Sequence, residues 1–379
     1  MSPPPTAADP LNAAVVGCGQ IADAHLGELA KVPAARALVC CDTRPELAEQ
    51  AAARFGVPET SDDLGAVLAR DDVHVVHLCT PAHTHGPLAK ACLAAGKHVY
   101  VEKPFTVDAA EAREVVAAAE RAGRSICLGH DQLFDPLWLR AAAMIEAGAI
   151  GPVRHVDSHV GYSLSGPFGR EVAGDPDHWV RRLPGGLFQN TISHPLYRIT
   201  EFLRGDEPGV SAVWLENGNV IPADLRVSLW DGEVTGNLLF TSRVKPNART
   251  TRLYGERGTL DLDFDAQTVR RSRAGSLPGA LEKLERPARA WLEATGNLAR
   301  NAWRFARGDI HYFHGMRNLF AAFYGSIRDG GPPPIEPAEM VRVTAIMDQI
   351  FEACRADEPA AEAFPTQAAP PASVLAAAS

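Results

Sequence analysis

Short apolar runs alternate with helix-compatible stretches through the first third of this 379-residue chain, and that rhythm constrains the fold more than any single residue. Residues 11–16, 37–41, 73–79, 98–101 and 125–128 are the predicted strands, separated by helical material. Strands that are apolar on both faces need helices on both sides of a parallel sheet. We therefore expect an α/β domain over residues 8–130. Closely spaced strand candidates at 153–160, 211–215, 225–230, 234–241 and 250–254 place a second domain over 131–355. Glu216-Asn217-Gly218, Asp231-Gly232 and Gly255-Glu256-Arg257-Gly258 supply turns between them, which predicts antiparallel pairing. A helix over 337–352 is expected to return beside that sheet.

Between the first strand and its helix lies Gly17-Cys18-Gly19-Gln20-Ile21-Ala22. Glycines there gain meaning from their context: they follow a strand, open a helix and precede an acidic residue at the end of the next strand. That arrangement is the dinucleotide fingerprint of a Rossmann domain. Gly17 makes the tight turn, Gly19 removes a side chain from the path of a pyrophosphate, and Ala22 permits close helix–strand packing. Backbone N–H groups of Gln20 and Ile21 at the helix start are offered to the phosphates. Asp42 is placed to accept from the adenosine ribose hydroxyls and would repel a 2′-phosphate, which favours NAD over NADP. Arg44 is a candidate to stack on adenine or reach a phosphate.

Charge and cysteine content narrow the function classes. The chain carries 46 acidic and 37 basic residues, a net charge of -9, which argues against a nucleic-acid partner. No apolar run is long enough for a membrane span, and the first residues lack the charged start and apolar core of a signal peptide. Residues 1–7 and 357–379 are expected to be flexible ends. The seven cysteines are odd in number and form no C-x-x-C, so they read as buried free thiols of a cytoplasmic protein. The histidines at 74, 77, 83, 85 and 98 occupy different strand and loop ends, and no metal site is predicted.

The stretch Ala94-Ala95-Gly96-Lys97-His98-Val99-Tyr100-Val101-Glu102-Lys103-Pro104 is more specific than the glycines. With Cys79-Thr80-Pro81, His85, Phe134-Asp135-Pro136 and the segment from Ile145 to Val153, it resembles the glucose-fructose oxidoreductase and inositol dehydrogenase (Gfo/Idh/MocA) family. The resemblance implies a Rossmann domain followed by an α+β domain with a large, mostly antiparallel open sheet. It implies hydride transfer between NAD and a sugar, inositol or related cyclic polyol, and a homodimer or homotetramer formed through that sheet.

The same resemblance assigns candidate residues. Lys103, just past a strand end, is implied as a catalytic-site group that holds a substrate hydroxyl and stabilises an alkoxide. Glu102 is expected to orient Lys103 or touch the nicotinamide ribose, and Pro104 to follow a cis bond. His194 is the expected general base or acid. Asn190 stands where the family has an aspartate, four residues before it, and is expected to fix the substrate or the imidazole. Thr80, Pro81 and His85 are further cofactor candidates. Asp131, Trp179, Arg181, Arg182 and Tyr197 are candidate substrate contacts, with Tyr197 another departure from a family aspartate. These departures leave two alternatives: a non-catalytic nucleotide-binding regulator or partner protein, and a transient oxidation coupled to elimination or cyclisation. Residues 270–307, basic and tryptophan-bearing, are expected to form a helical excursion that caps the sheet, contacts a subunit, or acts as a lid or membrane-surface element.

Overall fold

The computed structural model describes residues 9–164, 166–215 and 223–356. The expected flexible ends and the turn at Glu216-Asn217-Gly218 lie outside the described residues. The first domain runs β1 (Leu11–Val16), α1 (Gln20–Leu29), β2 (Ala35–Cys41), α2 (Pro45–Phe55), β3 (Glu59–Ser61), α3 (Leu64–Leu68), β4 (Val75–Leu78), α4 (His85–Ala94), β5 (His98–Val101), α5 (Ala109–Ala122) and β6 (Ile126–Leu128). Its strands pair in parallel in the order β3-β2-β1-β4-β5-β6. That order reverses between β1 and β4, and open α/β sheets bind ligands outside the strand C-termini at such a reversal. Every residue of β1 and β4 is buried, as helices on both faces require.

The second domain continues with α6 (Pro136–Glu146), β7 (Val153–Gly161), α7 (Pro167–Gly174), α8 (Gly186–Thr191), α9 (Ser193–Thr200), β8 (Gly209–Leu215), β9 (Asp224–Trp230) and β10 (Thr235–Thr241). It closes with β11 (Ala248–Gly255), β12 (Gly258–Asp263), β13 (Thr268–Ser272), α10 (Glu282–Ala306), α11 (His314–Asp329) and α12 (Pro337–Ala356). The sheet order is β13-β12-β11-β7-β10-β9-β8. All neighbours are antiparallel except β7 and β10. Strand β9 shows why one face is covered: Leu225, Val227 and Leu229 are buried while Arg226, Ser228 and Trp230 are exposed. Burying one such aliphatic side chain stabilises the fold by about 1.5–3 kcal/mol. Helices α9 and α12 cover that inner face, and α11 packs against α1.

Three strands were not expected. Strand β3 is a polar tripeptide on the sheet edge. In β12, Leu260 and Leu262 alternate with Asp261 and Asp263, a period-two signal short enough to be read as turn. Strand β13 includes Arg270 and Arg271, so the expected helical excursion at 270–307 is corrected: its first residues pair with β12, and the long helix begins at Glu282. All seven cysteines are buried. No helix of the described residues is long and apolar enough to cross a membrane.

Candidate active site

The glycine turn has the geometry that a dinucleotide needs. Gly17 has φ +86°, and a Cβ there would lie 2.7 Å from Thr80 Cγ2 and 2.9 Å from the Cys79 carbonyl. Gly19 is different: a Cβ on it would meet nothing within 4 Å, so its open side faces free space. Gly19 is also the N-cap of α1 and supplies no side-chain cap. The first N–H groups of the helix, at Gln20 and Ile21, therefore remain available to an anion. The Gln20 side chain donates to Glu171 Oε2 at 3.2 Å, which ties the turn to α7. Asp42 closes the turn: its Oδ2 accepts from Cys18 N at 2.7 Å and its Oδ1 from Arg44 N at 2.9 Å. A carboxylate keeps further lone pairs for ribose hydroxyls. The Arg44 side chain is exposed. These residues fit a dinucleotide.

The loops after β4 and β5 are pinned together. His85, 1% exposed, directs Nδ1 at the Pro104 carbonyl (2.8 Å) and Nε2 at the Thr80 carbonyl (2.8 Å). Both neighbours are carbonyl acceptors and burial holds the imidazole pKa down, so one ring N–H donates to one of the two carbonyls. His85 sits between the Thr80-Pro81 loop and the loop that carries Lys103. The Lys103–Pro104 peptide is cis. Lys103 Nζ reaches across the domain boundary and donates to the Asn190 carbonyl at 3.1 Å. The contact of Asn190 with Lys103 is thus made by its backbone, a function that any residue at that position supplies.

Glu102 is the hub of a buried network. Its Oε1 accepts from His25 Nε2 at 2.8 Å, and its Oε2 from the Lys103 backbone N–H at 3.2 Å. His25 Nδ1 lies 3.1 Å from His77 Nδ1, and His77 Nε2 lies 2.9 Å from the Tyr324 hydroxyl. One assignment satisfies every contact with both rings neutral: Tyr324 O–H donates to His77 Nε2, His77 Nδ1–H donates to His25 Nδ1, and His25 Nε2–H donates to Glu102. Burial works to raise the Glu102 pKa, but the His25 hydrogen bond and the nearby Lys103 outweigh it and hold the carboxyl below its ordinary value. Burial, then His25, pushes His77 well below the usual imidazole range.

A second cluster surrounds His194. Helices α8 and α9 break at Ile192, so Asn190 and His194 sit on consecutive helices rather than on the single helix expected. His194 Nδ1 lies 2.8 Å from the Tyr197 hydroxyl. That hydroxyl accepts from Gln132 N at 3.1 Å and donates to Asp131 Oδ1 at 3.5 Å. The resulting order is Asp131, Tyr197, His194. It places a hydrogen on Nδ1 and leaves Nε2 without a hydrogen bond among the described residues. The ring is 24% exposed. Burial first, then Lys103, Arg198 and Arg249, holds His194 well below the ordinary imidazole pKa. Asp131 is pushed up to about 7 by burial and by Glu102. Tyr197 is fully buried, and its hydroxyl links Asp131 to His194.

Hydrogen bonding around this second cluster is incomplete. Both ring nitrogens of buried His130, the Ser193 hydroxyl, Gln132 Oε1 and the whole guanidinium of Arg198 lack partners among the described residues. Burial lowers Arg198 to about 10, so it stays charged at neutral pH. Its guanidinium lies 4.5 Å from the centre of the Phe264 ring. The remaining candidates stand apart. Arg181 donates to the Val172 and Ala173 carbonyls, closing the end of α7. Arg182 is exposed and lies 3.7 Å from Asp177. Trp179 packs on a small cluster with Val172, Val180 and Leu187.

Residues 11–130 match the family model GFO_IDH_MocA, described as an oxidoreductase family with an NAD-binding Rossmann fold. The similarity to this family is carried by the first domain. It is 36% identical to 4-carboxy-2-hydroxymuconate-6-semialdehyde dehydrogenase of Sphingobium sp. over 32% of this chain and 39% of that protein. It is 28% identical to inositol 2-dehydrogenase of Rhizobium meliloti over 51% of this chain and 55% of the relative. The alignments thus span about two fifths and just over half of these relatives' own lengths. The fold extends further than the identity. The WlbA dehydrogenase from Bordetella pertussis, solved in complex with NADH and UDP-GlcNAcA, superimposes with a TM-score of 0.73 at 20% identity. That likeness covers 93% of this chain and 97% of the other, so the two-domain architecture is common to both.

Proposed function

We propose that this Gfo/Idh/MocA family member is an NAD-dependent oxidoreductase that moves a hydride between nicotinamide and a carbinol or carbonyl carbon of a sugar, inositol or related cyclic polyol. The observation that carries this reading is the convergence of Lys103, from a strand end of the Rossmann domain, with the α8–α9 segment that bears His194. The dinucleotide, held by the Gly17–Ile21 turn and Asp42, supplies the hydride acceptor or donor. In the oxidative direction His194 Nε2 takes the hydroxyl proton. Lys103 donates to the same oxygen and stabilises the negative charge that develops on it. Glu102, kept ionised by His25, fixes the Lys103 backbone.

The absence of a family aspartate at positions 190 and 197 is compensated from elsewhere in the chain. Asp131 reaches His194 through the Tyr197 hydroxyl, and Asp131 Oδ1 lies 3.6 Å from His194 Nδ1. A carboxylate there stabilises the imidazolium that proton abstraction creates. This relay favours a working enzyme over a catalytically silent regulator. Polyols and keto-sugars assayed for absorbance change at the reduced nicotinamide band test the reading. Turnover that His194→Ala abolishes, with NADH affinity unchanged, supports it; dinucleotide binding without turnover of any such compound counts against it.

A further inference from the structure

Helix α10 is packed inside out. Its polar side faces the protein: Asn297, 2% exposed, donates to the Val269 carbonyl, Asn301 donates to the Ala266 carbonyl, and Glu293 accepts from Arg271 N. Its apolar side faces solvent. Leu284 is 68% exposed, Trp291 67%, Leu298 70% and Phe305 77%. These four fall seven residues apart. Leu281, in the turn that leads into the helix, forms with Ala288, Thr295 and Ala302 a second series with the same spacing, offset by three, and all of them are exposed. A sustained 3-4 alternation on one helical face is the heptad pattern of a helix that pairs with another helix.

We propose that α10 docks antiparallel on α10 of a second copy of this chain, forming a two-stranded coiled coil apart from any association through the sheet. Side-chain size selects the occupant and the direction. In antiparallel coiled coils the first series of one helix meets the second series of the other. Aligning Trp291 with Thr295 of the second copy also sets Leu298 against Ala288, Leu284 against Ala302 and Phe305 against Leu281. Across the central layers each larger side chain meets a small one, and the same alignment serves both copies, as two-fold symmetry demands. A parallel pair would instead stack Trp291 on Trp291 and leave Ala288 facing Ala288.

Area and charge agree with this occupant. Aromatic side chains bury roughly 150–250 Å² each. Together with the exposed leucines, the stripe approaches the ~800 Å² per partner of a standard stable interface. It exceeds the scattered apolar exposure that ordinary monomer surfaces carry. An anionic membrane is less well matched. Arg286 and Arg289 are already paired with Glu282 and Glu285 on the same helix, and Arg304 bonds Gln267 and the Asp309 carbonyl. The antiparallel arrangement brings Arg300 and Arg307 of one helix toward the Glu282–Glu285 end of the other and opposes the two helix dipoles.

Light scattering on the eluting full-length chain is the first test. The particle mass is expected to fall by half in Trp291→Glu and in Leu298→Glu; an unchanged mass in both overturns the proposal. Neither side chain supports the core, so folding is preserved. Crosslinking gives a readout that leaves the interface intact. All seven native cysteines are buried, so Thr295→Cys introduces the reactive thiol. In the proposed register the two copies of residue 295 lie about 6 Å apart along the axis and the two copies of residue 288 about 15 Å apart. A short bismaleimide should link Thr295→Cys into dimers and leave Ala288→Cys mostly unlinked. Equal linking at both sites, or none at 295, overturns it. So does flotation of the chain with phosphatidylserine-containing vesicles that is lost in Trp291→Glu.

Discussion

Two buried polar clusters meet at Glu102 and Lys103, and they differ in whether their hydrogen bonds close. On the Rossmann side, Tyr324, His77, His25 and Glu102 form a chain in which each donor finds an acceptor, and the Tyr100 hydroxyl stacked beside them is the atom of this group left without a partner among the described residues. On the α9 side, His130, Ser193, Gln132 and Arg198 retain unpaired polar atoms. Buried polar groups that close on one another rigidify a structure, whereas groups left open wait for water or a ligand. In the proposed function the first cluster holds Glu102 in place, and the second would receive the reacting molecule. The proposal assigns the proton chemistry to the open side, where His194 Nε2 has no hydrogen bond among the described residues.

Substitutions separate the two sides. The largest expected effect is on the open side: His194→Ala should lower turnover by about 10²–10⁴-fold, the usual contribution of a positioned acid–base group, with the unfolding midpoint and NADH affinity unchanged. On the closed side the sign of the comparison reverses. His77→Leu leaves both His25 Nδ1 and the Tyr324 hydroxyl unpaired and should cost about 1–3 kcal/mol in denaturant titration, with dinucleotide binding retained by the folded fraction. A similar stability loss in His194→Ala would erase the distinction.

The pH profile sharpens the relay. Asp131 must be ionised to accept from Tyr197 and support the imidazolium, and its pKa stands at about 7. His194 stays neutral through that range, because its own pKa is held low. Oxidation should therefore rise with pH through about 7 and fall roughly tenfold for each unit well below it, as the ionised fraction does. In Asp131→Asn that limb should disappear from the profile. The smallest effect is expected from Tyr324→Phe, which removes one donor and keeps the ring: about 1 kcal/mol of stability and no change in the pH profile.

What could be read in advance follows from the range of each interaction. The glycine turn, Asp42 and the Glu102-Lys103-Pro104 segment each sit at a strand end within a short recognisable motif, although their contacts reach distant positions such as Cys18 with Asp42 and His25 with Glu102. The pairing of His194 with Asp131 spans the crossover between domains; both residues were visible, but Asp131 read as a substrate contact and Tyr197 as a departure from pattern. The closed cluster was missed because His77 sits mid-strand among apolar residues, and Tyr324 lies 247 positions away. A signal was available: a histidine in a strand buried on both faces must find a buried partner. The contact of Arg181 with the carbonyls ending α7 spans only eight and nine positions, yet no motif marks it in the sequence.

A crystal structure of the chain with NADH tests the central claim most directly. The account predicts the pyrophosphate on the Gly17–Ile21 turn, with nicotinamide C4 facing one pocket that both Lys103 Nζ and His194 Nε2 enter. A nicotinamide ring on another surface, or a pocket that admits only one of those two nitrogens, would contradict it.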